Sequence, residues 1–149
     1  MKSSYWLRGL AVILGLFTLG HTLGTAAPRV TRGADEAAVF DAMRRFRFPV
    51  MGYERSYWDF YRGFALTISL QLLIATIIAW QLGSLAKRDP RAALPMTGAL
   101  VASSVGMLVL GQLFFFNGPI VFSALATVVS AVAFFLLVRE SAGKAAATR

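Results

Sequence analysis

Phe64 to Leu82 reads FALTISLQLLIATIIAWQL, an uninterrupted stretch without one charged side chain. As a helix rising about 1.5 Å per residue it covers about 28 Å, close to the ~30 Å of a bilayer's hydrocarbon core. Its most polar members, Gln71 and Gln81, are uncharged. A soluble domain rarely needs so long an uncharged run, so the stretch is read as the apolar part of a membrane span.

Working outward, three further runs have the same character. Leu7 to Ala27 is interrupted by Arg8, His21 and some threonine and glycine; Pro95 to Phe116 and Pro119 to Val138 carry no charge. Lys87-Arg88-Asp89-Pro90-Arg91 reads as a tight turn, and Asn117-Gly118-Pro119 as another, with Pro119 suited to a helix's first turn. The expected architecture is all-α: a membrane-embedded four-helix bundle forming one domain, with spans near 6–27, 55–86, 95–116 and 119–138. The tail from Arg139 to Arg149 reads as frayed. Composition agrees, with 57% hydrophobic and 15% charged residues, against about 45–50% and 25% in soluble domains.

Residues 1–27 have a signal-peptide outline: a basic start, an apolar middle and small residues at Gly24–Ala27. Pro28 follows the best small-residue site and disfavours cutting there, so the run is read as a retained span. Between the first two spans, Asp35 to Phe46 reads as a short amphipathic interfacial helix. Val39, Met43 and Phe46 fall on one stripe, acids lie at its start, and Arg44, Arg45 and Arg47 lie at its end. It is read as lying in the headgroup region or as a lid over a site. Phe48-Pro49 stops it.

Basic residues collect at Lys2 and Arg8, at Lys87, Arg88 and Arg91, and at Arg139, Lys144 and Arg149. A four-span chain puts all three sets on one side. The positive-inside rule then makes both termini cytoplasmic. The arginines of the first loop run against this assignment, but that loop is partly folded. The net charge of +8 is thereby assigned to anionic lipid, and a nucleic-acid partner is not expected. With no cysteine and one histidine, no metal site is expected; nothing identifies a cofactor. Gly20 and Gly24, Ala102 and Gly106, and Ala126 and Ser130 have the small-xxx-small spacing of close helix packing.

The segment from Gly52 to Phe64, GYERSYWDFYRGF, is dense in charge and aromatics. On a helix, Arg55, Asp59 and Arg62 form one stripe. Its bland reading is an aromatic belt with a salt-bridge ladder. Its functional reading is a polar site in the outer half of the bundle, because charges at membrane depth usually face the interior. His21 near the end of the first span, and Gln112 and Asn117 near the end of the third, are expected at a similar depth. The candidate ligand-binding residues are therefore His21, Tyr57, Trp58, Asp59, Tyr61, Arg62, Gln112 and Asn117. His21 and Asp59 are the catalytic candidates, as a base and its orienting carboxylate, and Arg62 is the candidate anion holder. Ser56, Thr22 and Thr67 are available hydroxyls, but no nucleophile stands out, so enzymatic activity is an open expectation.

GHTLG at 20–24 and MGYERSYWDFYRGF at 51–64 resemble an uncharacterised family of small bacterial four-helix integral membrane proteins. The resemblance covers most of the chain and departs at Ala65, where the pattern has glycine. It implies a four-span topology and no activity.

Three functions follow. The first is binding of, or action on, a lipid-like or small amphipathic ligand in the outer half, with membrane lipids as partners. The second is a non-catalytic subunit or assembly factor, with residues 46–64 facing a membrane-protein partner. The third is a small transporter or channel, ranked last because the cytoplasmic half lacks a polar route.

Overall fold

In the computed structural model residues 2–147 are described, with side chains through 144. Arg149, grouped above with the last basic set, lies outside the described residues. The elements are α1 (Lys2–Ala26), α2 (Ala34–Arg45), β1 (Arg47–Val50), β2 (Tyr53–Ser56), α3 (Tyr57–Arg88), α4 (Pro90–Phe114) and α5 (Asn117–Ala147). Four helices, α1, α3, α4 and α5, are long and apolar enough to cross a membrane. The protein is an all-α, multi-pass membrane protein in its architecture, with one small hairpin added.

The chain divides into two compact units, residues 1–18 with 72–149, and residues 19–71. In the first, α4 and α5 pack antiparallel. Ala93, Thr97, Leu100, Ser104 and Gly111 are buried on α4, and Ser123, Ala126, Ser130, Ala133 and Leu137 on α5. The alternating steps of three and four keep one face of each helix on the seam. Small residues let the backbones approach, and three of their hydroxyls are satisfied within the helix: Thr97 Oγ1 donates to the Ala93 carbonyl at 2.8 Å, Ser104 Oγ to that of Leu100 at 2.8 Å and Ser130 Oγ to that of Thr127 at 3.1 Å, while Ser123 Oγ is buried without a partner among the described residues. Ala126 and Ser130 are on this seam as expected. Ala102 and Gly106 are exposed, because the α4 seam runs through Leu100 and Ser104 instead.

α1 presents Ser3, Leu7, Leu10, Leu14 and Phe17 on one buried stripe. Phe17 stacks on Phe122 of α5 at 5.0 Å, and Ser4 Oγ donates to the Gly83 carbonyl of α3. At the same end Glu140 accepts from the backbone N–H of Ser3 at 3.2 Å and from its hydroxyl. A carboxylate thus meets the N-terminus of α1, where the helix dipole favours an anion. Lys144 donates to the Arg88 carbonyl at the end of α3 at 3.2 Å. These contacts order a tail that composition alone marks as frayed, and α5 stays helical to Ala147.

The helix bounds differ from expectation for local reasons. Asp89 caps α4 by accepting from the N–H groups of Arg91 and Ala92 at 3.0 and 3.1 Å. Pro90 takes the first helical position, so α4 starts there and Pro95 falls inside it. α3 begins at Tyr57 instead of residue 55, because residues 47–56 form an antiparallel hairpin with Val50 opposite Tyr53. Met51 at φ 46° and Gly52 at φ 86° make its two-residue turn. Both central residues need positive φ, and only the second is glycine. The left-handed region costs an L-residue about 1–2 kcal/mol, which asparagine tolerates better. Met51→Asn is therefore expected to stabilise the hairpin by about 0.5–1 kcal/mol. Amide exchange across β1 and β2 should slow about two- to fivefold; unchanged exchange would show that the turn is unstrained.

Candidate functional site

The second unit holds the end of α1, helix α2, the hairpin and the first half of α3. α3 starts with a reciprocal cap. The backbone N–H and hydroxyl of Ser56 both donate to Asp59 Oδ2, at 2.8 and 3.0 Å, and Asp59 N–H donates to Ser56 Oγ at 3.2 Å. This is a capping box with aspartate at the third helical position. The Ser-x-x-Asp spacing that signals it was legible, but Ser56 and Asp59 read as site groups instead.

The cap also decides the charged stripe. Arg55 lies in β2, so it does not share a helical face with Asp59 and Arg62. Glu54 lies opposite Pro49 and pairs with Arg47 at 3.7 Å. Asp59 answers the helix start, and no salt-bridge ladder forms among the described residues.

His21 is held elsewhere. Its Nδ1 lies 3.0 Å from Ser69 Oγ, which also accepts from Thr22 Oγ1 at 3.0 Å. These bonds link α1 to α3. Ser69 is ten residues beyond Asp59 on one helix, about 15 Å along its axis. The structure thus does not bring His21 and Asp59 together as base and orienting carboxylate. Among the described residues no group of three metal-ligating side chains occurs.

What does assemble is an aromatic cluster with two arginines. Phe40 of α2 meets Trp58 edge-on at 5.7 Å, and Trp58 stacks on Tyr61 at 5.4 Å. The Arg29 guanidinium lies 5.0 Å from the ring centres of both Phe40 and Tyr61, and that of Arg44 lies 4.4 Å above Trp58. The side of α2 that packs carries Phe40 and Met43; Val39 is 58% exposed, so the stripe is rotated from that expected. Phe40 with Arg44, and Trp58 with Tyr61, have helical spacing that brings them side by side. Arg29 was unreadable as a member, because it stands in an irregular segment with no periodicity.

A second aromatic series runs through Phe46, Phe48, Tyr57, Phe60 and Phe64, with Phe48 and Tyr57 4.9 Å apart. It braces a two-stranded hairpin that would be marginal alone. Of the expected site residues, Tyr57, Trp58 and Tyr61 thus join aromatic clusters. Arg62 is exposed and takes part in neither ion pair among the described residues. Gln112 and Asn117 stand exposed in the first unit, at the end of α4 and the start of α5.

The structure defines a four-helix membrane protein whose second unit carries an arginine-bearing aromatic cluster. No family model, curated protein or solved structure matches the chain.

Proposed function

We propose that this is a multi-pass protein of the bacterial inner membrane, with both termini cytoplasmic, that binds the anionic head of a lipid-like or small amphipathic ligand on the outer side of the membrane, at the aromatic cluster of the second unit, and performs no chemistry on it. The observation that carries the reading is the pair of guanidiniums held over the rings of one aromatic cluster. A ring offers a guanidinium no hydrogen-bond acceptor in the plane of its N–H groups, so those donors stay available to an anion. Arg29 enters no ion pair among the described residues, and Arg44 has only an exposed contact with Asp41 at 3.5 Å. An exposed pair of that kind is weak, so an incoming phosphate or carboxylate competes with it easily. His21 and Asp59 have other partners, which supports binding over catalysis. The resemblance to a family of small bacterial membrane proteins fits this reading in topology.

The test is titration of the full chain, in nanodiscs of phosphatidylcholine, with a short-chain phosphatidic acid. Arg29→Gln with Arg44→Gln is expected to weaken binding about tenfold or more, as loss of charge-assisted hydrogen bonds worth about 1.5–3 kcal/mol requires. Equal affinity of wild type and double variant would refute the reading.

A second reading has its own observation. Phe46, Tyr57 and Phe64 are more than half exposed, and Met51 at the hairpin tip is 97% exposed. Such a surface suits a membrane-protein partner, and with it a role as subunit or assembly factor. Purification in mild detergent should then yield a stoichiometric complex that Met51→Asp disrupts; a clean monomer would count against it.

A further inference from the structure

Within the first unit, α1 and α3 flank a surface groove of about 290 Å³ lined by Ala11, Val12, Thr76, Ile77, Trp80 and Gln81. The lining is almost wholly apolar. The volume lies at the lower edge of the roughly 300–1,000 Å³ of small-molecule pockets, and suits a length of one acyl chain. One helical turn before Ala11 and Val12 stands Arg8, whose guanidinium lies 5.0 Å from the centre of the Trp80 ring. Its stem runs against Gly83, where an added Cβ would come within 2.9 Å of Arg8 Cγ. Arg8 is therefore held between two residues of α3, and its Nε is buried without a hydrogen-bond partner among the described residues.

A cation within a membrane span normally has a counter-charge. The carboxylates of this unit, Asp89 and Glu140, are engaged by the start of α4 and by Ser3. Neither ion pair among the described residues involves Arg8. Lys87, over the Tyr5 ring at 6.0 Å, adds a second positive charge to the same unit. Helical side chains lean toward the N-terminus, so Arg8 reaches from the groove toward the headgroups at the start of α1.

We propose that this groove holds one anionic phospholipid of the leaflet at the N-terminus of α1, with its phosphate on Arg8 and an acyl chain along Trp80, Ile77 and Val12. Each half of the lipid then meets what it needs: the phosphate a cation lacking a protein counter-ion, the chain an apolar channel opening on the bilayer. The site is independent of Arg29 and Arg44 of the second unit.

The test is native mass spectrometry of the full chain in detergent with equal amounts of phosphatidylglycerol and phosphatidylcholine of matched chains. Wild type is expected to retain one phosphatidylglycerol per chain, and Arg8→Gln to lower that retention about tenfold or more. Ile77→Trp, which fills the groove and leaves Arg8 in place, should lower it too. It serves as the second variant if Arg8→Gln does not fold, as judged by helicity. Equal retention of the two lipids, unchanged retention in a folded variant, or a stable dimer that carries no lipid would each overturn the proposal.

Discussion

Gly83→Leu is expected to be the most damaging single substitution in the membrane-spanning part, lowering the unfolding midpoint in detergent by about 10 °C. Gly83 stands where α1 and α3 approach backbone to backbone. A Cβ there would lie 2.9 Å from Arg8 Cγ and 3.3 Å from the Ser4 carbonyl oxygen. Arg8 can swing away, but the Ser4 carbonyl belongs to the helix and cannot move alone. The helices must part, and the bond from Ser4 Oγ to the Gly83 carbonyl goes with them. Overpacking of this kind costs about 1–3 kcal/mol, and the lost hydrogen bond about 1 kcal/mol more. Leu66→Ala, at a half-exposed position of the same helix, is the control and should fall within about 0.5 kcal/mol of wild type. Equal midpoints for the two variants would mean that α1 and α3 do not meet closely at Gly83.

The second large effect is expected in the aromatic cluster of the second unit. Trp58→Ala removes the residue that Phe40, Tyr61 and Arg44 all touch. Trp58 is half-buried, so the loss falls below the 3–5 kcal/mol of a fully buried tryptophan. Two aromatic pairs and a cation–π contact at about 0.5–1.5 kcal/mol each suggest a loss of about 2–3 kcal/mol. It should be local. Hydrogen exchange of residues 34–45 should accelerate more than tenfold, while exchange in α4 and α5 stays unchanged. Trp58→Phe keeps a ring for stacking and should restore most of the protection. Uniform acceleration through α4 and α5 would show that the two units unfold as one cooperative whole.

Together these variants separate two kinds of polarity. Ser3, Ser4, Thr97, Ser104 and Ser130 are buried and bonded to nearby carbonyls or to Glu140, and they serve helix contact. Arg8, Arg29 and Arg62 have no acidic partner within the described residues. The first kind is structural, because a bilayer supplies no water to satisfy a hydroxyl. The second invites a charge from outside the chain, and both lipid proposals rest on it.

The candidate site was legible only where it obeys a helical period. Trp58 and Tyr61 stand three apart on one helix, and that spacing brings them side by side. Phe40 and Arg44 are just as regular, but the sequence does not say which element α2 packs against. Asp59 illustrates the opposite difficulty. A carboxylate beside arginines looks like an ion pair or a base until the hairpin is seen to end at Ser56, three residues before it. The hairpin turns on Met51-Gly52, which lacks the Asn-Gly or Asp-Gly signal that marks such turns.

The spans themselves needed no tertiary information. An uncharged run such as 64–82 has one cheap solution in hydrocarbon, a helix that satisfies its own backbone, and the sequence alone determined four of them. Which faces meet was beyond it. In lipid an apolar side chain gains little by turning inward, so hydrophobic pattern does not label the packed side. Close contact and side-chain hydrogen bonds label it instead, through residues such as Gly83, Ser130 and Ser69. Only the tertiary structure decided that His21 joins Ser69 instead of Asp59, and that Arg29 rests between Phe40 and Tyr61.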